Sequence, residues 1–201
     1  PSAVGLVVLA GPLLATLFAS GGAFGTNDVM MARLSLVAFS VGVPGFMLVK
    51  VLASGFYSRQ NIKTPVRIAV IALVTNILLN GLLFIPLQHA GIALATALSS
   101  SLNAGLLFYK LRQMGQFTLK AGWGSYLLKL GFANAVLIMM LVLFVPATAD
   151  WLAMGKMLRV LYLSGWVGAS VVIYLLCLFL VGLRVNDFRV QDSLTTTMEN
   201  T

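Results

Sequence analysis

Six runs of about twenty apolar residues, at roughly 3–19, 33–53, 66–86, 90–109, 123–145 and 158–183, fit this chain to a lipid bilayer rather than to water. Each run is long enough to cross a hydrocarbon core about 30 Å thick. Inside that core every backbone N–H and C=O needs a partner within the protein, which leaves helices or a closed barrel. The runs are continuous rather than alternating, so barrel strands are a poor fit. The expected fold class is therefore all-α: a polytopic membrane protein with six transmembrane helices. Only 9% of the residues are charged, against about 25% in soluble domains, and mean hydropathy is +1.00.

The breaks between runs suggest where helices begin and bend. Thr26 or Asn27 is expected to cap the second helix, with Asp28 in its first turn at the positive end of the dipole. Thr64-Pro65 is expected to open the third, with Pro65 in the first helical position, where a missing N–H costs nothing. Gly11-Pro12 and Pro44 predict kinks in the first and second helices. On the fourth, Ala93, Ala97, Ser101 and Gly105 recur every fourth residue, a stripe that admits a close neighbouring backbone and predicts a central helix. The fifth and sixth are bulkier and are expected to face lipid widely. Trp123 and Trp151 are expected in the interfacial aromatic belts, and Lys129 is expected to snorkel to the interface.

Six helices put both chain ends on one side. Lys50, Arg59, Lys63, Arg67, Lys110, Arg112, Lys120, Lys129, Arg184 and Arg189 fall on that side, against Arg33, Lys156 and Arg159 on the other. The positive-inside rule makes the richer side, and both ends, cytoplasmic. It also accounts for most of the +8 net charge, so a nucleic-acid partner is not expected.

The polar inventory argues against catalysis. Asp28, Asp150, Asp187, Asp192 and Glu199 lie in loops or at helix ends, leaving no carboxylate at membrane depth to carry protons or cations. Cys177 has no cysteine to pair with in this chain, and His89 is expected to be an interfacial loop residue. No HExxH, GxSxG or GxxxxGK[ST] motif occurs, so no cofactor, metal site or enzymatic activity is expected. What remains are amides. Asn76 and Asn80 share one face of the third helix, and Asn103 with Ser99, Ser100 and Ser101 marks the fourth. They either bond between helices or line a hydrated cavity. Asn134 reads as a packing contact.

Two segments are more specific. One is Leu17-Phe18, then Gly22-Ala23-Phe24, then Asp28. The other is Val51-Leu52-Ala53 running into Phe56-Tyr57-Ser58-Arg59-Gln60-Asn61-Ile62-Lys63-Thr64-Pro65-Val66. Followed by an Asn-bearing apolar helix, and with His89-Ala90-Gly91 further on, they resemble the MurJ (MviN) family of lipid II flippases, in the multidrug/oligosaccharidyl-lipid/polysaccharide exporter superfamily. Ser20-Gly21 stands where that family commonly has charged residues.

The resemblance implies the end of a fourteen-helix MATE-like transporter. Residues 1–110 would be four helices of its second lobe, 111–185 a peripheral pair bordering a groove for a long polyprenyl tail, and 186–201 a cytoplasmic tail. The family's head-group arginines would lie upstream, so none is carried over; the chain would be a piece of a longer protein, without a signal peptide of its own. The implied activity is flipping of lipid II across the bacterial inner membrane by alternating access. Its implied partners are lipid II, membrane lipids and the protein's remaining N-terminal helices. On this reading Asn76, Asn80 and Asn103 line or brace the cavity, while Arg59, Lys63 and Arg67 form a cytoplasmic gate or contact lipid phosphate. Another exporter of the superfamily and a non-transporting membrane scaffold are the alternatives.

Overall fold

The computed structural model describes residues 1–18, 26–115, 123–146, 150–151 and 154–182, without the side chains of Thr26, Asn27 and Trp123. The Gly22-Ala23-Phe24 part of the first motif, the Thr26 and Asn27 caps, Trp123 in the belt, Lys120, Arg184, Arg189 and the 186–201 tail lie outside these. The described residues form helices α1 (Ser2–Val8), α2 (Ala10–Phe18), α3 (Thr26–Tyr57), α4 (Lys63–Gln113), α5 (Trp123–Phe144) and α6 (Lys156–Leu180). No strand occurs among them.

Two departures from straight helices recover the six expected spans. The first span breaks at Leu9, one turn before Pro12. Proline has no N–H for the carbonyl four residues back, here that of Val8, and its ring crowds that carbonyl. By contrast α3 runs through Pro44 without a break in its helical assignment. The second departure is in α4, whose 51 residues would extend about 76 Å if straight, over twice a hydrocarbon core. It reverses at Gln88 (φ 49°, ψ −127°). Asn76 and Ser99 would be about 35 Å apart on a straight helix, yet their side chains meet at 3.0 Å. Residues 63–87 and 89–113 are thus two antiparallel spans. Gly91 permits the reversal, because a Cβ there would collide with the Leu83 carbonyl oxygen.

Pro65 is the third residue of α4 rather than the first. Its missing N–H still belongs to the unbonded first turn, and the Asn61 side chain accepts from the Thr64 N–H at 3.3 Å. Asp28 sits in the first turn of α3 as expected.

The most extensive packing is between α3 and α4. The small-residue stripe meets a second one on α3: a Cβ on Gly42 would be 2.7 Å from Ala97 Cα, and one on Gly45 would be 3.1 Å from the Ser101 nitrogen. Gly105, the end of the stripe, has no such neighbour within 4 Å, so the close approach covers its middle. Below it, Leu52, Phe56, Ile68, Leu107 and Leu111 form a buried cluster. The α5–α6 pair packs elsewhere, with α5 on α1 and α6 on α2; Leu9, Leu137 and Leu141 make a second cluster there. In α6 the one buried residue is Arg159, so this helix presents its apolar faces outward.

One expectation is reversed. Trp151 is fully buried, edge-to-face with Tyr162 at 6.4 Å between ring centroids, and so takes no place in an interfacial belt. Lys129 reaches toward the end of α6, with its Nζ about 4.0 Å from a Cβ built at Gly182.

Candidate functional site

A cavity of about 430 Å³ opens among α3 and the two halves of α4. Helix α3 contributes Phe46, Val49 and Lys50, residues 63–87 contribute Asn76, and residues 89–113 contribute Thr96, Ser99 and Asn103. The amides form a directional chain. Asn80 Nδ2 donates to Asn76 Oδ1 at 3.0 Å, and Asn76 Nδ2 donates to Ser99 Oγ at 3.0 Å and to Thr96 Oγ1 at 3.5 Å. Ser99 Oγ then donates to the Thr96 carbonyl at 3.1 Å. Such bonds contribute about 0.6–2 kcal/mol each between membrane helices.

The chain does not satisfy every group. Asn80 Oδ1 and Asn103 Oδ1 are buried with no hydrogen-bond partner among the described residues. An acceptor left unbonded in a dry interior is costly, and Asn103 is at the same time part of the cavity lining. Asn76 and Asn103 are therefore brought to one cavity, while Asn80 stands a turn away and acts on it through Asn76.

Sequence reading missed two polar lining residues, Thr96 and Lys50. Thr96 falls on the helical face of Ser99, Ser100 and Asn103 by its i, i+3, i+4, i+7 spacing, a signal present in the sequence. Lys50, counted there only as a topology cation, supplies the cavity's positive charge. Arg59, Lys63 and Arg67 do not line it. They are exposed at the turn joining α3 to α4, where Phe56 anchors the helix end and Gln60 takes a positive φ of 56°. Asn134 bonds locally, donating to the Leu130 carbonyl at 2.8 Å. His89 is exposed beside the Gln88 reversal. No group of three or more His, Cys, Asp or Glu side chains that could hold a metal occurs among the described residues.

A second cavity, about 500 Å³, is apolar. It lies between α1–α2 and the α5–α6 pair, with Leu6, Leu9 and Leu13 facing Leu137, Val171 and Leu175.

The sequence profile of the family described as "Lipid II flippase MurJ" matches residues 1–180. The chain belongs to the MurJ family. A probable lipid II flippase MurJ of Vibrio cholerae is 42% identical over 189 residues, 94% of this chain and 36% of that protein. The MurJ homologue of Haemophilus influenzae, described in the same words, is 39% identical over 92% of this chain and 36% of its own length. The chain thus spans about a third of the length of these MurJ relatives. A solved structure titled "Lipid II flippase MurJ, inward closed conformation" superposes with a TM-score of 0.71 at 20% identity, covering 88% of this chain and 34% of that one. The MurJ fold is shared, and the chain is a multi-pass membrane protein.

Proposed function

We propose that this chain is the C-terminal part of a transporter that moves lipid II from the cytoplasmic to the periplasmic leaflet by alternating access. The observation that carries the reading is the family match across residues 1–180. The physical task agrees with the two cavities. A pyrophosphate-sugar head cannot enter hydrocarbon without a hydrated, cationic surround, and the α3–α4 cavity carries Lys50 and a row of amides. A long isoprenoid tail needs only an apolar surface, and the cavity beside the α5–α6 pair supplies one.

On this reading residues 1–110 belong to the transporter's second lobe, 111–185 form a peripheral pair, and 186–201 are a cytoplasmic tail. Both ends of the chain are cytoplasmic, because that orientation puts Lys50, Arg59, Lys63, Arg67, Lys110 and Arg112 on the inner face. Arg59, Lys63 and Arg67 act as a gate or hold lipid phosphate there. The upstream helices complete the head-group cavity, and surrounding membrane lipids cover the outward apolar faces of α4 and α6. Among the described residues no carboxylate lines the α3–α4 cavity, which favours a lipid flippase over a cation-coupled drug exporter.

The test is complementation. The full-length protein is expressed in a bacterium depleted of its own flippase, and lipid II exposure at the periplasmic face is followed. Restored exposure and growth support the reading. Normal protein abundance with no exposure overturns it in favour of another exporter of the superfamily.

A further inference from the structure

Among the described residues Arg159 is the one buried cation, 8% exposed. Its Nε donates to the Met154 carbonyl at 2.9 Å, and a terminal nitrogen donates to the Ala15 carbonyl at 3.1 Å. Ala15 lies in the last turn of α2, at the negative end of the helix dipole. A guanidinium suits this place, since its planar fork bonds two carbonyls at once and keeps its charge. Beside it, buried Trp151 packs against Tyr162 on α6. The start of α6 is thus fastened to the end of α2 by a residue 144 positions away in sequence.

From this fastening α6 runs on past the apolar cavity. Val167, the first α6 residue of its lining, is about 12 Å further along the helix. No other residue of α6 is buried, and at the level of the cavity its contact with the Leu9–Leu137–Leu141 cluster is made by half-buried Tyr174.

We propose that Arg159 is a positioning residue: it fixes the start of α6 against the end of α2 and so sets the bore of the apolar cavity for a long hydrocarbon chain. This rests on the reading of that cavity as the tail site. Ala15 contributes only a backbone carbonyl, so the arginine carries the fastening.

The experiment uses the full-length protein with Arg159→Met and Arg159→Lys, and measures binding of a farnesyl-length and an undecaprenyl-length prenyl phosphate. In parallel, disulfide formation between Leu6→Cys and Val171→Cys, in a Cys177→Ala background, reports the width of the cavity. The wild type is expected to prefer the long probe. Arg159→Met is expected to weaken the long probe about tenfold, the scale of a lost charge-assisted hydrogen bond, to leave the short probe unchanged and to shift the disulfide yield. Arg159→Lys, which keeps the charge but not the fork, is expected to fall between, and it decides the matter if Arg159→Met does not accumulate. Variants that keep the wild-type chain-length preference and disulfide yield overturn the proposal, as does equal weakening of both probes with a lowered melting temperature. A wild type without chain-length preference instead overturns the tail-site reading.

Discussion

Asn76 donates to Ser99 Oγ across 3.0 Å, joining two antiparallel spans that one sequence-continuous helix supplies by reversing at Gln88. This bond links the wall of the polar cavity to the helical hairpin that frames it. The same amide group accepts from Asn80, so one residue organises the chain of polar groups.

Replacing Asn76 with leucine removes all three of its side-chain bonds, to Ser99, Thr96 and Asn80. The expected loss of stability is about 1–2 kcal/mol, with a disproportionate loss of lipid II flipping. Melting temperature of the purified full-length protein and complementation of a flippase-depleted strain measure the two effects. A stability loss with normal flipping would make the amide chain structural only.

Gly91→Ala is expected to destabilise the hairpin by about 3 kcal/mol, because its Cβ would collide with the Leu83 carbonyl oxygen and the backbone has to move. Gly105→Ala, with no contact within 4 Å, is expected to change stability by less than about 1 kcal/mol. Thermal unfolding of the two variants side by side checks the contrast.

Lys50 places one positive charge in a cavity otherwise lined by amides, hydroxyls and apolar groups. Lys50→Gln is expected to lower flipping about tenfold or more, at the scale of a lost hydrogen bond to a charged group, while Lys50→Arg retains most of it. Flipping rates at matched protein abundance distinguish the pair, and equal rates in both variants would remove Lys50 from head-group contact.

Arg59→Ala tests the gate. Arg59 is exposed, so stability should change by no more than about 0.5 kcal/mol, whereas transport is expected to fall. A wild-type complementation result at normal abundance would leave Arg59 as a topology residue.

Water access to the α3–α4 cavity separates a transporter from a scaffold. With Cys177 replaced by alanine, Asn103→Cys is expected to react with a hydrophilic thiol reagent, and Leu143→Cys, on the exposed apolar face of α5, is expected not to. Equal protection of both would mean that the cavity is dry.

The six spans, the all-α class and the turn carrying Arg59 through Asn61 were legible because they depend on local quantities: run length, backbone satisfaction and turn chemistry. Even the reversal near His89 was marked, as a short polar interruption after Pro86. The demand for glycine at 91 was not, because it follows from how closely two halves of one helix approach.

The sequence by itself determined the solvent this protein must live in, the number of times it crosses it and the family it resembles, since hydropathy and motif spacing are properties of contiguous residues. Only the tertiary structure decided that Asn76 and Asn103 share a cavity with Lys50, that Trp151 is buried rather than interfacial, and that Arg159 caps α2. A polar side chain's role depends on the partner it meets: Asn76 meets Ser99 at 3.0 Å and Arg159 meets the Ala15 carbonyl at 3.1 Å across 144 positions, contacts that only packing makes.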